Sequence, residues 1–552
     1  MMTWIGIILL IGAAGAGAAL PELPRAYVDT TMPAITGNTY TVNAGGNLQA
    51  TIDQAAAADP NLNHLIVVQA GATFQGRFLL RARAAGTGWI VLRTSNIAGL
   101  PADGNRASPA DSSNMPKMLS DNTGNTGDAV TTDAGAHHYR LVGMELAAHP
   151  TVGTANLVTI NGADHIVFDR CYMHGNPNGG TRRAVALNGD ALAVIDSYIS
   201  DFKDPSNDTQ ALWAVSSRGP LKIINNYLEA AGENVMFGGA QPPDAAHVPQ
   251  DIEIRNNLFS KPLAWRGSWV IKNLLELKLG IRVLMEGNIF ENLWAQNQGG
   301  AALVWTVRNE YGSAPYAEVS NITFRYNIVR HVNQGLAMFG SDDNAWTPPT
   351  SQQEKLIDVH DNLFWDLGGS WGAQGAANGQ FLSIGNGGTY LMADVAFNHN
   401  TVLQPGTLLN VSRAGHTGFV FQNNIIGNGQ YGVCCGGTPL QTLNAYFPGY
   451  IFTKNAIMDT QAAGYNNPSW WPAGNFFPTN ANSVGFIDLV NSDYHLSASS
   501  LYKNAGTDGK DLGADIDAIN AATACAGSGT CGAPPPPAVT MSPARPKGLR
   551  LQ

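Results

Sequence analysis

The chain has 552 residues, of which 62 are glycine and only 13% are charged, a composition that favours many short strands and turns over long helices. Such a length is enough for several ordinary domains, but one solenoid of stacked repeats also accommodates it. The formal net charge of −10 argues against a nucleic-acid partner, because phosphate recognition needs a basic surface. An acidic polymer as ligand would require a locally basic patch.

The first 19 residues predict a signal peptide and therefore a secreted protein, either extracellular or periplasmic. An apolar stretch from Trp4 to Ile11 is followed by the small residues 16–18, which are typical of a cleavage site. The absence of Lys and Arg before this stretch leaves an uncleaved N-terminal anchor as the alternative. After cleavage we expect no membrane span, since no other segment has the roughly 18 apolar residues that a membrane helix requires.

The repetitive part of the chain is expected to begin with a cap. Residues 20–43 are interpreted as an N-terminal extension. Residues 46–57 then predict a short amphipathic helix with Leu48, Ile52 and Ala55 on one face. Such a helix would cover the open end of a solenoid core.

One unit recurs through the middle of the chain: an alternating strand, a polar pair that ends in Asn, and then two or more apolar residues. Aligned copies share an Asn at positions 226, 257, 288, 327, 362, 400, 424 and 455. Their spacings of 24 to 39 residues fall in the range typical of solenoids. Two earlier copies carry Cys171 and Ser197 at this position.

The alternation within each copy indicates which side chains point inward. Three residues before the shared Asn, every copy is apolar: Ile223, Ile254, Met285, Phe324, Val359, Phe397, Phe421 and Phe452. Two residues before it, the side chain is usually polar, as a half-buried strand requires. We expect the Asn itself to adopt the left-handed bend and to stack its amide from coil to coil. The fold class predicted for residues 44–518 is all-β, a single-stranded right-handed parallel β-helix.

A second column of strands precedes these copies, and the longest insertions follow it. The insertions span residues 238–250, 309–320 and 341–355. In solenoids, insertions gathered on one side commonly form the binding surface.

The coil pattern resembles the pectate-lyase-like superfamily of right-handed parallel β-helices over residues 44–518. Locally, Glu276-Leu277-Lys278 before Gly287-Asn288-Ile289-Phe290, and Gln298-Gly299-Gly300 before Arg308, resemble polysaccharide lyase family 6. This resemblance implies a carbohydrate-active protein that cleaves a uronic-acid-containing polysaccharide by β-elimination. Because the same scaffold hosts other functions, a non-catalytic glycan-binding or adhesion protein at a cell surface or in a matrix is the alternative.

The residues themselves suggest how such a site would work. If Leu275, Leu277 and Leu279 point inward, Glu276 and Lys278 point outward. Arg308 follows Lys278 by one coil length, which would place the two on strands about 4.8 Å apart. Lys278 is the candidate base, Arg308 the candidate charge stabiliser, and Glu276 a candidate Ca²⁺ ligand. The alternative is a surface ion pair that stabilises little.

Further candidates extend this site. Substrate contacts are predicted at Trp265, Trp269, Trp294, Trp346 and Arg282, since an exposed indole suits a sugar ring, although tryptophans also anchor cores and loops. Metal-ligand candidates are Glu233, Asp342 and Asp343. With His360, the Asp342–Asp343 pair is also a candidate for glycoside hydrolysis; ordinary turn chemistry is its alternative.

The remaining expectations concern the C-terminus and single residues. Cys525 and Cys531 are predicted to form a disulfide, the state of Cys434 and Cys435 stays open, and residues 519–552 are interpreted as a Gly/Pro-rich tail. His137, His138 and His165 show no partner at metal-ligand spacing and are interpreted as structural. We expect a monomer.

Overall fold

The protein, analysed as a computed structural model, is a parallel β-helix, as the sequence predicts. The structure describes residues 18–124, 126–341, 350–372, 378–385, 388–460 and 467–531. Each coil contributes three strands, and stacking the coils builds three faces, which we name A, B and C in the order in which a coil visits them. Faces A and C form one 25-stranded sheet, because the long strand Thr154–Asp169 runs from C into A, whereas face B is a 13-stranded sheet.

The strands of each face pair in parallel with the next coil. Face A comprises Thr39–Val42, His64–Val68, Ile90–Thr94, His137–Val142, the end of Thr154–Asp169, Leu192–Ile195, Leu221–Ile224, Gln250–Arg255, Gly280–Glu286, Val319–Arg325, Lys355–His360, Ala393–Asn398, Thr417–Gln422 and Ile451–Thr453. Face B comprises Thr73–Gln75, Lys117–Leu119, Glu145–Ala147, Tyr172–His174, Tyr198–Phe202, Tyr227–Ala230, Leu258–Phe259, Ile289–Leu293, Ile328–Val332, Leu363–Leu367, Thr401–Leu403, Ile425–Gly427 and Ala456–Met458. Face C comprises Phe78–Leu80, Val130–Thr132, the start of Thr154–Asp169, Thr181–Asp190, Gln210–Ala214, Glu233–Phe237, Asn273–Leu277, Ala301–Thr306, Gln334–Phe339, Leu382–Gly385, Leu409–Val411 and Val433–Cys434.

The few helices and the remaining short elements lie outside the coils. The α-helices are Leu48–Ala56, Pro439–Tyr446 and Ile516–Ser528. Short 3₁₀ turns occur at Ile97–Gly99, Pro109–Asn114, Ala245–His247, Leu263–Trp265, Glu310–Gly312, Gly369–Trp371, Pro468–Trp470 and Ala481–Val484. Phe486–Asp488 and Asp493–Leu496 form a small antiparallel pair. No helix among the residues described above is long and apolar enough to cross a bilayer.

The predicted inward columns form the core. All eight apolar residues that precede the shared Asn by three positions are at most 3% exposed. Like side chains stack from coil to coil, as in the rings of Phe421 and Phe452, whose centroids are 5.1 Å apart. The stacking follows from parallel pairing, which repeats each inward position about every 4.8 Å along the axis.

The shared Asn residues form a continuous amide ladder inside the corner between faces A and B. At each step, as from Asn257 to Asn288, the Nδ2 donates to the next Oδ1 at 3.0 Å. The same Oδ1 also accepts the backbone N–H of Asn257 at 3.0 Å. The ladder continues through Ser197, whose backbone N–H donates to the Asn226 Oδ1 at 3.0 Å. Stacked amides thus satisfy the buried backbone at every bend.

The predicted left-handed bend is displaced by one residue. The positive φ angles fall on the residues before the ladder, such as Asn225 at 54°, Asn256 at 57° and His399 at 51°. The prediction that the ladder Asn adopts this conformation is therefore wrong. Its amide must point into the corner, and the preceding residue, which faces outward, makes the turn.

The N-terminal cap is formed as predicted, but the first coil starts earlier than residue 44. Leu48, Ile52 and Ala55 of the capping helix are at most 2% exposed and join the main core. Strand Thr39–Val42 already pairs with His64–Val68 on face A. The N-terminal extension therefore contains the first strand of the β-helix.

Residues 19–36, which we name the N-terminal strap, cross the outside of face A. Three backbone N–H groups donate to side chains at the entrances of three different face A strands: Ala19 to Asp394 at 3.2 Å, Glu22 to Asn321 at 2.9 Å and Arg25 to Asp251 at 2.8 Å. Arg140 on an earlier coil donates to the carbonyl of Thr30 at 2.7 Å. The strap therefore runs from late coils back to early ones.

Residues 504–531, which we name the C-terminal arm, follow the outside of the A–B corner in the same backward direction. Thr507 donates its N–H to Asn423 at 2.9 Å, and Asn256 donates to the carbonyl of Ala522 at 2.7 Å. The arm contains the helix Ile516–Ser528, so the prediction of a Gly/Pro-rich tail from residue 519 is wrong for its first part. Cys525 is paired with Cys531, and Cys434 with Cys435.

Candidate functional site

The outer surface of face C carries four of the predicted site residues, Glu233, Glu276, Lys278 and Arg308. Its central outward column consists of register partners on six successive coils: Trp213, Met236, Glu276, Val304, Ala337 and Ser383. Loops stack along both edges of this face. On the C-to-A edge, Gln241 donates to the carbonyl of Glu310 at 2.7 Å. On the B-to-C edge, Asn297 donates its N–H to the carbonyl of Ile271 at 3.2 Å. An extended ligand that lies along face C would contact several coils between these loops.

Lys278 and Arg308 lie on consecutive coils, as predicted. The backbone N–H of Arg308 donates to the carbonyl of Lys278 at 3.1 Å. Each cation has an acidic neighbour: Lys278 Nζ lies 3.3 Å from Glu276 Oε1, and Arg308 Nε lies 2.6 Å from Glu310 Oε2. Leu275, Leu277, Leu279, Leu303, Trp305 and Val307 are at most 1% exposed, which confirms the predicted alternation.

Gly238 allows Lys278 to lie close to the preceding coil. A Cβ at residue 238 would lie 2.6 Å from the Cβ of Lys278, and the φ angle of 110° disfavours other residues. The carbonyl of Gly238 accepts the indole N–H of Trp213 at 2.9 Å. The close approach therefore connects Trp213, Gly238 and Lys278 on three successive coils.

A second, buried polar column lies beside the first. Arg183, Gln210, Glu233 and Asn273 are register partners on successive coils. Arg183 Nε donates to Gln210 Oε1 at 2.8 Å, and Gln210 Nε2 donates to Glu233 Oε2 at 2.7 Å. Asn273 Nδ2 donates to Glu276 Oε2 at 3.0 Å, which joins the two columns. Glu233 and Glu276 therefore lie on neighbouring coils, each with an amide donor from this column.

Glu233 is protonated more readily than an ordinary glutamic acid. Its side chain is 1% exposed, and Lys272 Nζ lies 3.6 Å from its Oε1. Burial, followed by the nearby negative charge of Glu276, raises the pKa of Glu233 from 4.5 to about 7, and Lys272 opposes this rise. Near neutral pH, Glu233 therefore exists in both protonation states.

The raised pKa of Glu233 predicts a pH-dependent stability. The folded protein holds this proton more tightly than the unfolded chain, whose pKa is near the ordinary 4.5. The stabilising contribution is therefore complete below that value and is lost as pH rises through about 7. Between these limits, we expect the free energy of unfolding of the wild type to fall by up to about 3 kcal/mol more than that of Glu233→Gln.

Chemical denaturation at several pH values measures this difference. Glu22→Gln, at a carboxylate that is 55% exposed, is the control and should follow the wild type. If the free energy of unfolding depended on pH in the same way in the wild type and in Glu233→Gln, this would contradict the raised pKa of Glu233.

The other predicted substrate contacts are not gathered on face C. Trp265 and Trp294 are 6% and 5% exposed and belong to the main core, so the expectation of exposed indoles is wrong for these two. Trp269 is half-buried, and Lys203 Nζ lies 5.6 Å from its ring. Arg282 pairs with Asp251 at 2.7 Å at the entrance of face A. It therefore lies on face A and not on face C.

Asp342, Asp343 and Trp346 lie outside the described residues. Their proposed partner His360 lies on face A, where its Nδ1 is 2.9 Å from Asp361 Oδ2.

Lys261, which no sequence pattern singled out as a site residue, is fully buried behind Glu233. Its Nζ donates to the carbonyls of Ala230 at 2.6 Å and Gly232 at 2.8 Å and to Asn234 Oδ1 at 2.7 Å. Burial lowers the pKa of Lys261 to about 7. The ammonium thus holds the turn that leads into Glu233. The only sequence signal was a lysine between apolar segments.

The histidines near residue 137 form a cluster that the sequence did not predict. One ligand atom each of His137, His138 and Asp164 lies within 4.8 Å of the other two. The interpretation that these histidines lack a partner at metal-ligand spacing is therefore wrong. Within the described part of the chain this is the one group of three such residues, so neither Glu233 nor Glu276 belongs to one.

A cavity of about 470 Å³ lies away from face C, between the C-terminal arm and the A–B corner. Tyr326, His399 and Tyr494 contribute to its lining. None of the predicted site residues lines it.

No family model matches the chain, and no curated protein matches it in sequence. Solved structures with a similar fold include the polygalacturonase from Erwinia carotovora ssp. carotovora, at 13% identity and a TM-score of 0.35, covering 73% of this chain and 100% of that one. A mannuronic acid specific polysaccharide family 6 lyase from human gut microbiota has 12% identity and a TM-score of 0.35, covering 77% and 87%. PfbA, a surface adhesin of Streptococcus pneumoniae, has 14% identity and a TM-score of 0.37, covering 67% and 89%.

These likenesses concern the fold alone. Because one fold can host many functions, function must be argued from the site.

Proposed function

We propose that the protein is a secreted carbohydrate-active enzyme that binds an acidic polysaccharide along face C and cleaves it by β-elimination. The observation that carries this proposal is the pair of cations, Lys278 and Arg308, on consecutive coils. Their side chains are 15% and 23% exposed, whereas the adjacent Glu276 and Glu310 are 6% and 14% exposed. A ligand therefore meets the positive groups first, although the chain as a whole is acidic.

The arrangement suits a uronate substrate. Arg308 offers a planar guanidinium that pairs with a sugar carboxylate and draws charge from the neighbouring C5–H. Lys278 Nζ is the group proposed to take that proton. The C5 electron pair then forms the C4–C5 double bond while the C4–O bond breaks, and the departing oxygen takes a proton from the lysine ammonium or from water. The products are a reducing end and an unsaturated uronate end.

The expected Ca²⁺ fits this site poorly. Glu276 faces the ammonium of Lys278 and the amide of Asn273, and Glu233 faces Lys272 and Gln210. A divalent cation would repel the ammonium groups and would displace the amide donors. We therefore derive no step of the reaction through Ca²⁺.

Hydrolysis is the second candidate, because Glu233, a carboxyl group with a raised pKa, has a second carboxyl group, Glu276, on the next coil. Glu233, whose pKa is raised to about 7, would act as the acid, and Glu276 would act as the base. The burial of Glu233 weighs against this candidate, since a glycosidic oxygen must reach the acid.

One experiment separates these functions. The purified full-length protein is incubated with alginate, pectate and chondroitin sulfate, with and without EDTA, while ultraviolet absorbance and reducing ends are measured. We expect both signals to rise on at least one polymer, with EDTA having no effect on the rate. Reducing ends without the absorbance of unsaturated uronate would overturn β-elimination in favour of hydrolysis. Neither signal, together with saturable binding, would overturn enzymatic function in favour of glycan adhesion.

A further inference from the structure

The histidine cluster lies at the C-to-A corner of early coils, on elements that the proposed catalysis does not use. His137 and His138 begin the face A strand His137–Val142, and Asp164 lies on the next coil as the register partner of His137. All three side chains are half-buried. A ligand held by the three would therefore connect two successive coils at a solvent-accessible corner.

The hydrogen bonds define which nitrogen atoms face each other. His137 Nε2 lies 3.1 Å from the carbonyl of Ala84, which can only accept, so this nitrogen carries a proton. In neutral His137 the lone pair is then on Nδ1, which lies 2.9 Å from His138 Nδ1. A single proton must therefore lie between the two Nδ1 atoms. A metal ion that replaced this proton would bind both nitrogen atoms at once.

The separation of the two Nδ1 atoms is close to that of a metal site. Two nitrogen ligands at about 2.0 to 2.1 Å from a tetrahedral zinc ion are about 3.3 Å apart. The Nδ1–Nδ1 distance of 2.9 Å needs only a small widening. The bond from His137 to Ala84 is the outer contact that typically orients a metal-binding imidazole.

Aromatic neighbours hold the second imidazole in place. The ring of His138 stacks on that of His165 at 4.3 Å with an interplanar angle of 6°. Trp89 contacts His138 edge-on, with centroids 5.1 Å apart. His165 Nδ1 lies 2.7 Å from Asp164 Oδ1, so this contact also orients the carboxylate. The nearby Arg83, which approaches the His137 carbonyl at 3.4 Å, opposes a cation, and the charge of Asp164 offsets it.

We propose that His137, His138 and Asp164 bind a divalent transition metal of the zinc class and thereby fasten two successive coils together. Two imidazoles and one carboxylate select zinc and its neighbours over calcium and magnesium, which prefer oxygen ligands. Solvent completes the coordination, because the side chain of Asp164 is 49% exposed.

The full-length protein, freed of metal with EDTA, is titrated with Zn²⁺ by calorimetry and with Co²⁺ by visible absorption. We expect one Zn²⁺ per chain and a Co²⁺ spectrum of ligand-field bands. Zn²⁺ should also raise the Tm of the wild type by a few degrees, since a ligand that binds only the folded state stabilises it.

Three variants test the assignment. His137→Gln, His138→Asn and Asp164→Asn should each weaken Zn²⁺ binding about 10-fold or more and abolish the Tm shift. Asn is chosen at residue 138 because φ is 57° there. His149→Gln, at a histidine outside the cluster, is the matched control and should bind like the wild type. Absent Zn²⁺ binding in the wild type, or unchanged binding in folded Asp164→Asn, would overturn the proposal.

Discussion

Replacement of Asn288 by alanine is expected to lower the free energy of unfolding by about 4 kcal/mol. Asn288 is fully buried, and its Nδ2 donates to Ile254 O at 2.9 Å and to Asn327 Oδ1 at 3.0 Å. Its Oδ1 accepts two bonds from Asn257. Removing one amide from the ladder leaves polar groups on two adjacent coils without partners in a buried corner, and each such group costs about 1 to 3 kcal/mol.

Guanidinium denaturation followed by circular dichroism measures this loss. Asn61→Ala replaces an exposed Asn and should change the free energy of unfolding by less than about 0.5 kcal/mol. Equal unfolding midpoints for Asn288→Ala and Asn61→Ala would show that the amide ladder does not stabilise the coils.

Replacement of Lys278 or Arg308 by alanine is expected to lower kcat/KM on the cleaved polysaccharide about 100-fold or more. The two variants should differ in which kinetic parameter changes. Lys278 acts on the proton in the transition state, so Lys278→Ala should lower kcat with little change in KM. Arg308 already pairs with the carboxylate in the bound substrate, so Arg308→Ala should also raise KM.

Arg330→Ala is the matched control for these variants. Arg330 forms a similar ion pair, with its Nη2 2.7 Å from Glu291 Oε2, but it lies on face B. Its side chain is 32% exposed, close to the 23% of Arg308. The control should retain wild-type kinetics. If Lys278→Ala and Arg308→Ala were as active as Arg330→Ala, the catalytic site would lie elsewhere.

The repeating part of the fold could be predicted from the sequence because its causes are local. Alternation with period two decides which side of a strand is apolar, so the inward positions of residues 254, 285 and 324 follow directly. An Asn that recurs after each such strand indicates a corner that every coil shares. The same local alternation placed Glu276 and Lys278 outside the core. One local error remained, since two neighbouring positions often both carry Asn and only one can make the left-handed turn.

Outside the repeated columns, contacts between coils were decided by the tertiary structure. The spacing of successive coils varies from 24 to 39 residues, so the sequence does not specify which loop residues lie over which strand. The burial of Trp265 and Trp294, and of Glu233 above Lys261, depends on that register. So does the approach of Asp164 to His137. The strap and the arm bind coils hundreds of residues away in the chain, and no local pattern specifies such partners. The sequence by itself determined the coil repeat and its inward positions. The stacking of coils determined which charged side chains come into contact.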